Sequence, residues 1–496
     1  MDYLDPQKRR THRTRLLIGY GLTALVVALG TVILVYDAYG YGITRGGNII
    51  QNGLLFVDSR PSGAKIYLNG KYQDSQTSSR LIMPASAYQL TLKKDGYRDW
   101  SRRFNLAEHS ISRYVYPLLV PSQLKPQVEK KYSGSPGLVT QTPSRQFLLV
   151  GQPRAANGGF IFDEFDLGDL KKEPTPRVLP NNLLTADKQG GDQLVDIEWS
   201  TDNRHVLLRH DFLGGNEFIV FDRSDPPSSF NINQMFKLSP TLVNLRNKKI
   251  DQVYIYLSSG GSLQVGDTRD GQLAKPFLQG VLAYKPFGSS LLSYITAEDA
   301  PAGQLIGRIW ENGQDYKLNQ FPRGELYLLD AAQFQGHWYY LAGSSGSNRV
   351  AIYKDPLNYL KDPTVEVAAP LAALRISGGQ KASFSTNTRF IGIQASDRMA
   401  VYDLENKDTY AYQTKSSMAG LVRWMDGHRL LGLSGGTSAI YDYDGTNFQA
   451  LVPTTMPSSA FFDRNYERFL SLGMPGPDGT VELQATYMLA GSDLPK

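Results

Sequence analysis

Residues 196–208 read DIEWSTDNRHVLL, and residues 217–222 read EFIVFD. Apolar clusters separated by polar residues with turn character predict a strand, a turn, a second strand, a loop and a third strand. The same order recurs over residues 381–403 and again over residues 422–442. The larger part of the chain is therefore predicted to repeat one small β unit.

The repeat extends beyond these three copies. Weaker copies begin near Gly137, Leu242, Val281, Leu326 and Ala460, which makes eight units at intervals of roughly 38 to 57 residues. In the clearest copies an aromatic residue precedes the apolar centre of the next strand by seven or eight positions, namely Trp199, Phe384 and Trp424. One such unit cannot bury both of its faces, so these side chains are expected to pack against neighbouring units in a closed ring.

In general form, residues 137–496 resemble the WD40-like and TolB-like propellers, without the Gly-His or Trp-Asp signature of WD40 repeats. The resemblance implies an all-β ring of seven or eight blades, and the eight copies favour eight. Frequent glycine and tyrosine, 47 and 29 residues, also favour β structure with many turns.

A second all-β region, residues 53–121, precedes the repeats. Short apolar or alternating runs, such as Leu54–Val57 and Tyr88–Leu92, predict antiparallel strands. Asn69-Gly70 predicts a hairpin, because a type I′ turn requires positive φ at both central positions. A second turn is predicted at Asp95-Gly96.

The motifs of this region carry a family resemblance. Residues 53–64 read GLLFVDSRPSGA, residues 66–70 read IYLNG and residues 94–97 read KDGY. Together they resemble the PEGA domain, a small β-sandwich-like module of bacterial and archaeal surface proteins. The resemblance implies a structural or adhesive spacer without catalytic residues. The residues expected to shape its turns are Pro61, Gly63, Ala64, Asn69, Gly70, Gly96 and Tyr97.

An apolar run near the N-terminus, residues 16–36, is long enough at about 1.5 Å per residue to cross a bilayer as one helix. Five basic residues precede it, namely Lys8, Arg9, Arg10, Arg13 and Arg15. Only Arg45 follows within the next residues through Asn48, so the N-terminus is expected to stay in the cytoplasm. A cleaved signal peptide is the alternative. However, the apolar run is longer than the apolar region of a signal peptide, and no clear small-x-small cleavage site follows it.

Composition narrows the choice of partners. Residues 1–15 hold five basic and two acidic side chains, and the remainder holds 47 and 45, a net charge of +2. A nearly neutral exported part gives no electrostatic reason to bind nucleic acid. The chain has no cysteine, which excludes disulfides, thiolate metal sites and thiol catalysis.

The predicted domain order follows from these features. It comprises a cytoplasmic basic segment (1–15), a transmembrane helix (16–36), a linker (37–52), a PEGA-like domain (53–121), a second linker (122–136) and a β-propeller (137–496). With no cysteine, the exported domains must be held together by their hydrophobic cores.

Two patterns suggest hydrolytic chemistry, and a structural interpretation is favoured for each. Residues 432–436, GLSGG, fit the nucleophile elbow G-x-S-x-G, which requires a helix after the serine. A strand is predicted there instead, which favours a glycine-rich hairpin. Asp163, Glu164 and Asp166 could be imagined as glycosidase carboxylates, but neighbouring strand positions alternate faces, which favours a charge cluster at an outer edge.

Metal and cofactor binding are not expected. The six histidines contain no H-x-x-x-H pair, and His205 and His210 flank a predicted strand where surface or turn positions are favoured. The acidic loop Asp442–Asn447 faintly resembles a calcium loop but lacks the bidentate glutamate. Its Asp-Gly pair favours a hairpin turn.

The sequence thus predicts a single-pass membrane protein whose PEGA-like spacer carries a β-propeller outside the cytoplasm. Its function is expected to be binding of a protein or a cell-envelope polymer, not catalysis, because no reactive constellation is visible. An extracytoplasmic hydrolase of glycan or peptide, with carboxylates gathered from several blades, is the alternative. A purely structural stalk or assembly scaffold is a third possibility.

Overall fold

The protein is all-β apart from one long N-terminal helix and a few short helical turns. The computed structural model describes residues 6–38, 41–43, 49–154, 159–186, 191–414, 418–455 and 460–494. The chain divides into two compact units. The first contains residues 1–123 and 489–496, and the second contains residues 124–488.

The helix α1 (Pro6–Ala38) contains the predicted apolar span. Its segment His12–Val35 has a mean hydropathy of 2.3, is 24 residues long, and has none of its most apolar window buried. Large side chains such as Leu17 and Leu34 are 69% and 70% exposed. At about 1.5 Å per residue the segment is long enough to cross a bilayer.

The rest of the first unit is a β-sandwich. Its strands are β1 (Tyr41–Ile43), β2 (Ile49–Val57), β3 (Lys65–Leu68), β4 (Lys71–Gln76), β5 (Ser79–Pro84), β6 (Ser86–Lys93), β7 (Trp100–Leu106) and β8 (Ile111–Tyr114). One sheet has the order β1-β2-β5, with β8 parallel to β2, and the other has the order β4-β3-β6-β7. The two sheets share one core, in which Leu55, Ile66, Leu92 and Trp100 are almost fully buried.

The C-terminal segment of the chain belongs to this first unit. The Tyr97 hydroxyl accepts a hydrogen bond from the Ala490 backbone N–H at 2.7 Å and donates one to Asp493 Oδ2 at 2.9 Å. Lys94 Nζ forms an ion pair with the same Asp493 carboxylate at 3.0 Å. We call this group of contacts the C-terminal clasp.

The second unit begins with β9 (Gln127–Tyr132) and then forms successive antiparallel sheets. The first four sheets contain β10 (Val139–Gln141), β11 (Phe147–Gly151), β12 (Ile161–Asp166) and β13 (Thr175–Val178); β14 (Gln193–Trp199), β15 (His205–Phe212), β16 (Gly215–Asp222) and β17 (Phe230–Asn231); β18 (Leu242–Leu245), β19 (Gln252–Leu257) and β20 (Ser262–Asp267); and β21 (Val281–Phe287), β22 (Leu291–Thr296), β23 (Gln304–Glu311) and β24 (Gln314–Pro322). In the third sheet, isolated bridges pair Leu263 with Leu278 and Gly266 with Leu273 at the position of a fourth strand.

Four further sheets complete the unit. They contain β25 (Tyr327–Phe334), β26 (His337–Ser344), β27 (Arg349–Lys354) and β28 (Ala372–Arg375); β29 (Lys381–Phe384), β30 (Phe390–Gln394), β31 (Arg398–Asp403) and β32 (Thr409–Gln413); β33 (Met418–Trp424), β34 (Arg429–Ser434), β35 (Thr437–Asp442) and β36 (Gln449–Pro453); and β37 (Phe461–Phe462), β38 (Arg468–Leu472) and β39 (Val481–Tyr487) with β9. The short helices are α2 (Ile232–Phe236), α3 (Leu357–Leu360) and 3-10 turns at Asn181–Leu183, Pro226–Ser228, Arg246–Lys248 and Gly491–Asp493.

The apolar cores described in this unit lie between neighbouring sheets, including the last sheet and the first. Leu149 and Phe162 of the first sheet, for example, pack with Val206 and Ile219 of the second. This is the packing that the repeat predicts, because one sheet cannot bury both faces by itself. The β-propeller fold is thereby confirmed, and the number of eight blades stays a prediction.

The repeated aromatic position joins neighbouring sheets. Trp199 ends the first strand of its sheet and donates from Nε1 to Thr140 Oγ1 of the preceding sheet at 2.8 Å. Trp424 occupies the equivalent place and donates to Ser383 Oγ of the preceding sheet at 3.2 Å. A buried indole N–H requires an acceptor, so these bonds also fix how the two sheets approach each other.

The last sheet is completed by the first strand of the unit. Strand β9 pairs antiparallel with β39, with Tyr132 opposite Val481. At the other edge of this sheet, Gln141 Nε2 of the first sheet donates to the Phe462 carbonyl at 2.8 Å. The pairing closes the ring and removes the exposed sheet edge that an open array would carry.

The segment boundaries differ from those expected. The predicted linker 122–136 contains β9, and the predicted linker 37–52 contains β1 and the start of β2. The propeller unit ends at Met488, because residues 489–494 pack in the first unit. Residues 39–40 and 44–48 of the first linker lie outside the described residues.

We expect the substitution Leu483→Ala to destabilise the propeller by about 2–5 kcal/mol, the usual cost of emptying a buried leucine site. Leu483 is fully buried on β39 and packs with Leu148 and Val150 of the first sheet, so the cavity would weaken ring closure. Urea unfolding followed by tryptophan fluorescence measures the loss. The control Leu326→Ala, at a residue 47% exposed, should change stability by less than about 0.5 kcal/mol.

We expect Tyr97→Phe to weaken the C-terminal clasp by about 1–3 kcal/mol, because two hydrogen bonds disappear and the Asp493 carboxylate loses a donor. Backbone amides of residues 489–494 should then exchange with deuterium about tenfold faster or more. Tyr72→Phe, at a residue 37% exposed, is the matched control. Unchanged exchange in the Tyr97 variant would show that this hydroxyl does not hold the segment.

Candidate functional site

The first strands of the propeller sheets lie side by side at the centre of the ring. Strand β14 contacts β18, β21 contacts β25, and β25 contacts β29. Side chains on these strands are therefore neighbours even though the sheets are far apart in sequence. The charged residues on them are Asp196 and Glu198 on β14, Lys285 on β21, Asp330 on β25, Lys381 on β29 and Arg423 on β33.

Asp330 bridges three of these strands. Its Oδ1 lies 2.7 Å from Lys285 Nζ on β21, and its Oδ2 accepts a hydrogen bond from the Phe384 backbone N–H on β29 at 3.2 Å. The Asp330 side chain is 6% exposed, whereas that of Lys285 is 45% exposed. The carboxylate is thus held in place from both sides, and the ammonium group remains open to solvent.

Lys381 is a half-buried cation among other cations. Its Nζ donates to the Val422 carbonyl on β33 at 3.3 Å. Burial lowers the pKa of Lys381, the positive charges of Lys285 and Arg423 lower it further, and only Asp330 opposes them. Lys381 therefore holds its proton less tightly than a lysine in water, as expected when a cation lacks a close counter-ion.

Arg423 lies beside Lys381 on the next inner strand. Its guanidinium donates to the Ala460 carbonyl and lies 5.0 Å from the centre of the Phe461 ring. Burial and the nearby charge of Arg145 lower the pKa of Arg423 to about 10, and Asp196 raises it slightly. The side chain therefore stays charged at neutral pH, although its surroundings resist that charge.

Arg145 extends the group of cations to the first sheet. It follows β10 in the turn before β11, its guanidinium stacks 4.4 Å from the centre of the Tyr466 ring, and its Nη2 donates to the Met425 carbonyl at 2.7 Å. Nearby, Asp196 Oδ2 accepts a hydrogen bond from the Thr140 hydroxyl at 2.9 Å. Ring stacking suits a planar cation that has few partners of opposite charge.

The charges of Lys285, Arg423 and Asp330 act on Lys381, and those of Arg145 and Asp196 act on Arg423. We call this group the inner cluster. Its members are Arg145, Lys285, Lys381 and Arg423, with Asp196 and Asp330. Four cations against two carboxylates leave a surplus of positive charge in a partly buried place, where charges interact more strongly than in water. Across the part of the chain that the structure describes, no group of three or more His, Asp or Glu side chains is arranged to hold a metal ion.

The predicted PEGA turn residues lie in the first unit. Gly63 has a φ of +81°, and its N–H donates to the Thr77 carbonyl at 2.8 Å. Ala64 is fully buried, and its N–H donates to Thr77 Oγ1 at 3.0 Å. Pro61 immediately precedes this turn, and the Ser59 hydroxyl donates to its carbonyl at 2.7 Å. These residues precede β3, and their hydrogen bonds connect the start of β3 to the loop before β5.

The remaining turn residues also shape the sandwich. Asn69 and Gly70 have φ of 50° and 80° between β3 and β4, as a two-residue turn of this type requires. Gly96 has a φ of +85°. A Cβ atom added at this position would lie 3.5 Å from the Ala490 Cβ of the C-terminal clasp. Tyr97 supplies the hydroxyl of that clasp. None of these predicted residues belongs to the inner cluster.

The GLSGG segment forms a hairpin. Ser434 ends β34, Gly435 and Gly436 have φ of 56° and 75°, and Thr437 starts β35. A nucleophile elbow needs a helix at this place, so this segment is not a nucleophile elbow. In the acidic loop, the Asp444 carboxylate accepts a hydrogen bond from the Thr446 hydroxyl at 2.7 Å. The loop is therefore a turn that contains its own side-chain hydrogen bond.

Asp163 and Glu164 are not at an outer edge, and that prediction is wrong. They lie on β12, the third strand of the first sheet, and are 2% and 7% exposed. Asp163 Oδ2 accepts from the Tyr132 hydroxyl of the last sheet at 2.9 Å, and Glu164 Oε2 pairs with Arg223 of the second sheet at 2.8 Å. Burial is tolerated because each carboxylate has a cationic partner from one neighbouring sheet, Lys130 for Asp163 and Arg223 for Glu164.

The structure also buries a histidine for which the sequence favours a surface or turn position. His210 is fully buried on β15; its Nδ1 lies 2.8 Å from Glu217 Oε1, and its Nε2 lies 2.8 Å from Asp192 Oδ2. Arg154 from the first sheet pairs with the other Asp192 oxygen. Asn231 donates to Glu217 Oε2 at 2.8 Å. Only the folded chain brings these groups together.

The charge of His210 follows from its two carboxylates. Burial lowers its pKa, but the hydrogen bonds to Glu217 and Asp192 and their negative charges outweigh burial, so that the pKa is raised. The same contacts lower the pKa of Glu217 and of Asp192 against the effect of burial. The imidazolium therefore stabilises this part of the propeller.

Comparison with known proteins agrees with the sandwich described above. Residues 52–115 match the PEGA domain. No curated protein matches the chain. The chain is thus a β-propeller protein with a PEGA domain and one apolar N-terminal helix.

Solved structures align over most of the chain at low identity. The uncharacterized protein lmo1340 from Listeria monocytogenes EGD-e has a TM-score of 0.40 and 11% identity, over 68% of this chain and 94% of that one. The β-propeller domain of Cps50 (Swd1) from Myceliophteria thermophila has a TM-score of 0.37 and 11% identity, over 74% and 100%. Hsv2 from Kluyveromyces lactis has a TM-score of 0.39 and 9% identity, over 65% and 98%.

We expect the stability of the propeller to fall as the pH rises through the raised pKa of His210. A pKa above the ordinary 6.5 means that the folded state binds the proton more tightly, so the gain is complete below pH 6.5 and disappears when His210 loses its proton. Melting temperatures of the parent and of His210→Gln, measured between pH 5.5 and 9, should converge at the alkaline end. The exposed His109→Gln serves as control, and a constant difference would contradict the assignment.

Proposed function

We propose that the protein is a membrane-anchored binding scaffold in which the PEGA domain carries the β-propeller outside the cytoplasm. The exposure of α1 supports this proposal most directly. None of the most apolar window of its His12–Val35 segment is buried by the protein. An apolar surface of this size requires a cover, and a lipid bilayer supplies one along its whole length.

The charges that flank α1 support the orientation. Five basic residues precede the apolar run and only Arg45 follows it closely. Lysine and arginine next to a span remain on the cytoplasmic side, so the N-terminus is inside, and the β-sandwich and the propeller that follow α1 are outside. The absence of cysteine suits either side of the membrane and does not oppose this direction.

The binding role is supported by the architecture. The propeller offers broad loop surfaces and a charged centre, while the turn residues of the PEGA domain are engaged in the sandwich itself. We propose a protein or a cell-envelope polymer as the partner, and a binding rather than a catalytic function. The fold alone does not determine the ligand, so the side chains of the propeller must select it.

We expect cysteine labelling of intact cells to report this orientation without background, because the chain has no cysteine of its own. Thr14→Cys lies before the apolar run, and Lys275→Cys lies at an exposed site of the propeller. A membrane-impermeant maleimide should label Lys275→Cys in intact cells. It should label Thr14→Cys only after the membrane has been opened.

The cysteine-free parent is the control for non-specific labelling. Labelling of Thr14→Cys in intact cells, with protection of Lys275→Cys, would reverse the proposed orientation. Mass spectrometry of the purified mature chain is measured in parallel. Loss of the peptide that contains Thr14→Cys would identify a cleaved signal peptide and would overturn the anchor.

A further inference from the structure

We propose that the inner cluster binds a doubly charged oxyanion of the phosphate type, either free phosphate or the phosphate group of a phosphomonoester. The inference rests on the proposed binding role and names the chemistry of its ligand. It does not depend on the orientation of the chain in the membrane. The residues that would hold the anion are Arg145, Lys285, Lys381 and Arg423.

The charge balance sets the charge of the ligand. Four cations come from the first, fourth, sixth and seventh sheets, and Asp196 and Asp330 supply the two carboxylates of the cluster. Two positive charges therefore remain uncompensated within the group. A dianion would neutralise this surplus, whereas a neutral ligand would leave it unchanged and a cation would increase it.

Lys381 lacks a close counter-ion among the described residues. Across the described residues it forms no ion pair within 4.0 Å, and its one hydrogen bond, to the Val422 carbonyl, is long at 3.3 Å. Its charged neighbours are Lys285 on β21, Arg423 on β33 and Asp330 on β25, two cations against one carboxylate. A lysine retained in such a place suggests a partner of opposite charge from outside the chain.

Arg145 has an unused donor as well. Its Nη2 is bonded to the Met425 carbonyl, but its Nη1 is buried and has no hydrogen-bond partner among the described residues. A buried donor without an acceptor costs free energy, and an oxyanion would supply the acceptor. This observation is independent of the charge balance and indicates the same kind of ligand.

The residue types favour an oxyanion over a halide. A guanidinium presents a planar set of N–H donors that matches two oxygens of a phosphate, and the cluster contains two of them, Arg145 and Arg423. A lysine adds a compact charge that accepts many geometries. Partial burial of these groups strengthens each contact relative to the same contact in water.

Binding should be linked to proton uptake. The pKa of Lys381 is lowered by burial and by Lys285 and Arg423, and a bound anion would act in the opposite direction. The anion therefore prefers the protonated lysine, and its affinity should fall as the pH rises. Sulfate is the suitable probe for this dependence, because sulfate itself does not titrate near neutral pH.

The test uses the full chain in detergent and isothermal titration with inorganic phosphate at constant ionic strength. We expect saturable binding of one phosphate per chain. In Lys381→Gln the dissociation constant should rise about tenfold or more, which corresponds to one lost charge-assisted hydrogen bond. The matched control Lys275→Gln removes an exposed lysine of the propeller and should bind as the parent does.

Stability separates a binding defect from misfolding. Lys381→Gln removes a cation from between two others, so the unliganded variant should melt at or above the temperature of the parent. A second variant, Arg423→Lys, keeps the charge but loses the planar set of donors. This variant should also weaken phosphate binding, while its lysine side chain still packs against the Phe461 ring.

Three results would overturn the inference: no phosphate binding by the parent, equal binding by Lys381→Gln, or the same response to chloride at equal ionic strength. Tighter binding of glycerol phosphate would identify a phosphomonoester as the ligand, and tighter binding of inorganic phosphate would identify the free ion. Both support the site. The cysteine-labelling result does not depend on phosphate binding. A failure of phosphate binding would therefore leave the scaffold proposal to be decided by the labelling experiment.

Discussion

Each sheet of the propeller has two apolar faces, and both must be covered by neighbouring sheets. For the first and last sheets, this condition is met only when the ring closes. Strand β9 pairs with β39, and the Tyr132 hydroxyl of β9 bonds to the buried Asp163 of the first sheet. The pairing of β9 with β39 therefore joins residues almost the whole length of the unit apart.

The sequence predicts the parts of this fold that depend on local order. Trp199 and Trp424 occupy the same place in their repeats, and both bond to the preceding sheet as neighbouring units of a ring require. The Asn69-Gly70 turn has positive φ at both residues. Turn chemistry and the spacing of aromatic residues are properties of a few adjacent positions, and one sequence suffices to recognise them.

Features that depend on remote partners could not be predicted in this way. Strand β9 reads as a polar linker, because the residue pattern QVEKKY gives no sign of its partner β39. His210 has the sequence context of a turn, and only folding places it between Asp192 and Glu217. For the inner cluster a signal did exist. Aligning the repeats by their aromatic residue places Lys381 and Arg423 just before it, three positions and one position respectively.

The inner cluster departs from the rule that buried charges are paired. Asp163 and Asp192 obey that rule, since each has a cation and a further donor within reach. Lys381 faces two cations and one carboxylate instead, and its hydrogen bond to the Val422 carbonyl of the next sheet is long at 3.3 Å. Positions at which local physical preferences are violated without a structural gain are those at which function is expected.

The C-terminal clasp gives the propeller a second attachment of a different kind. The chain enters the ring unit after Gln123 and leaves it at Met488, and residues 489–494 return to the PEGA domain through Tyr97 and Lys94. A protease that cuts the entering connection would therefore not free the ring at once. The severed piece would stay bound through contacts that include those of Ala490 and Asp493, and its release would become a reversible dissociation whose rate depends on these polar contacts.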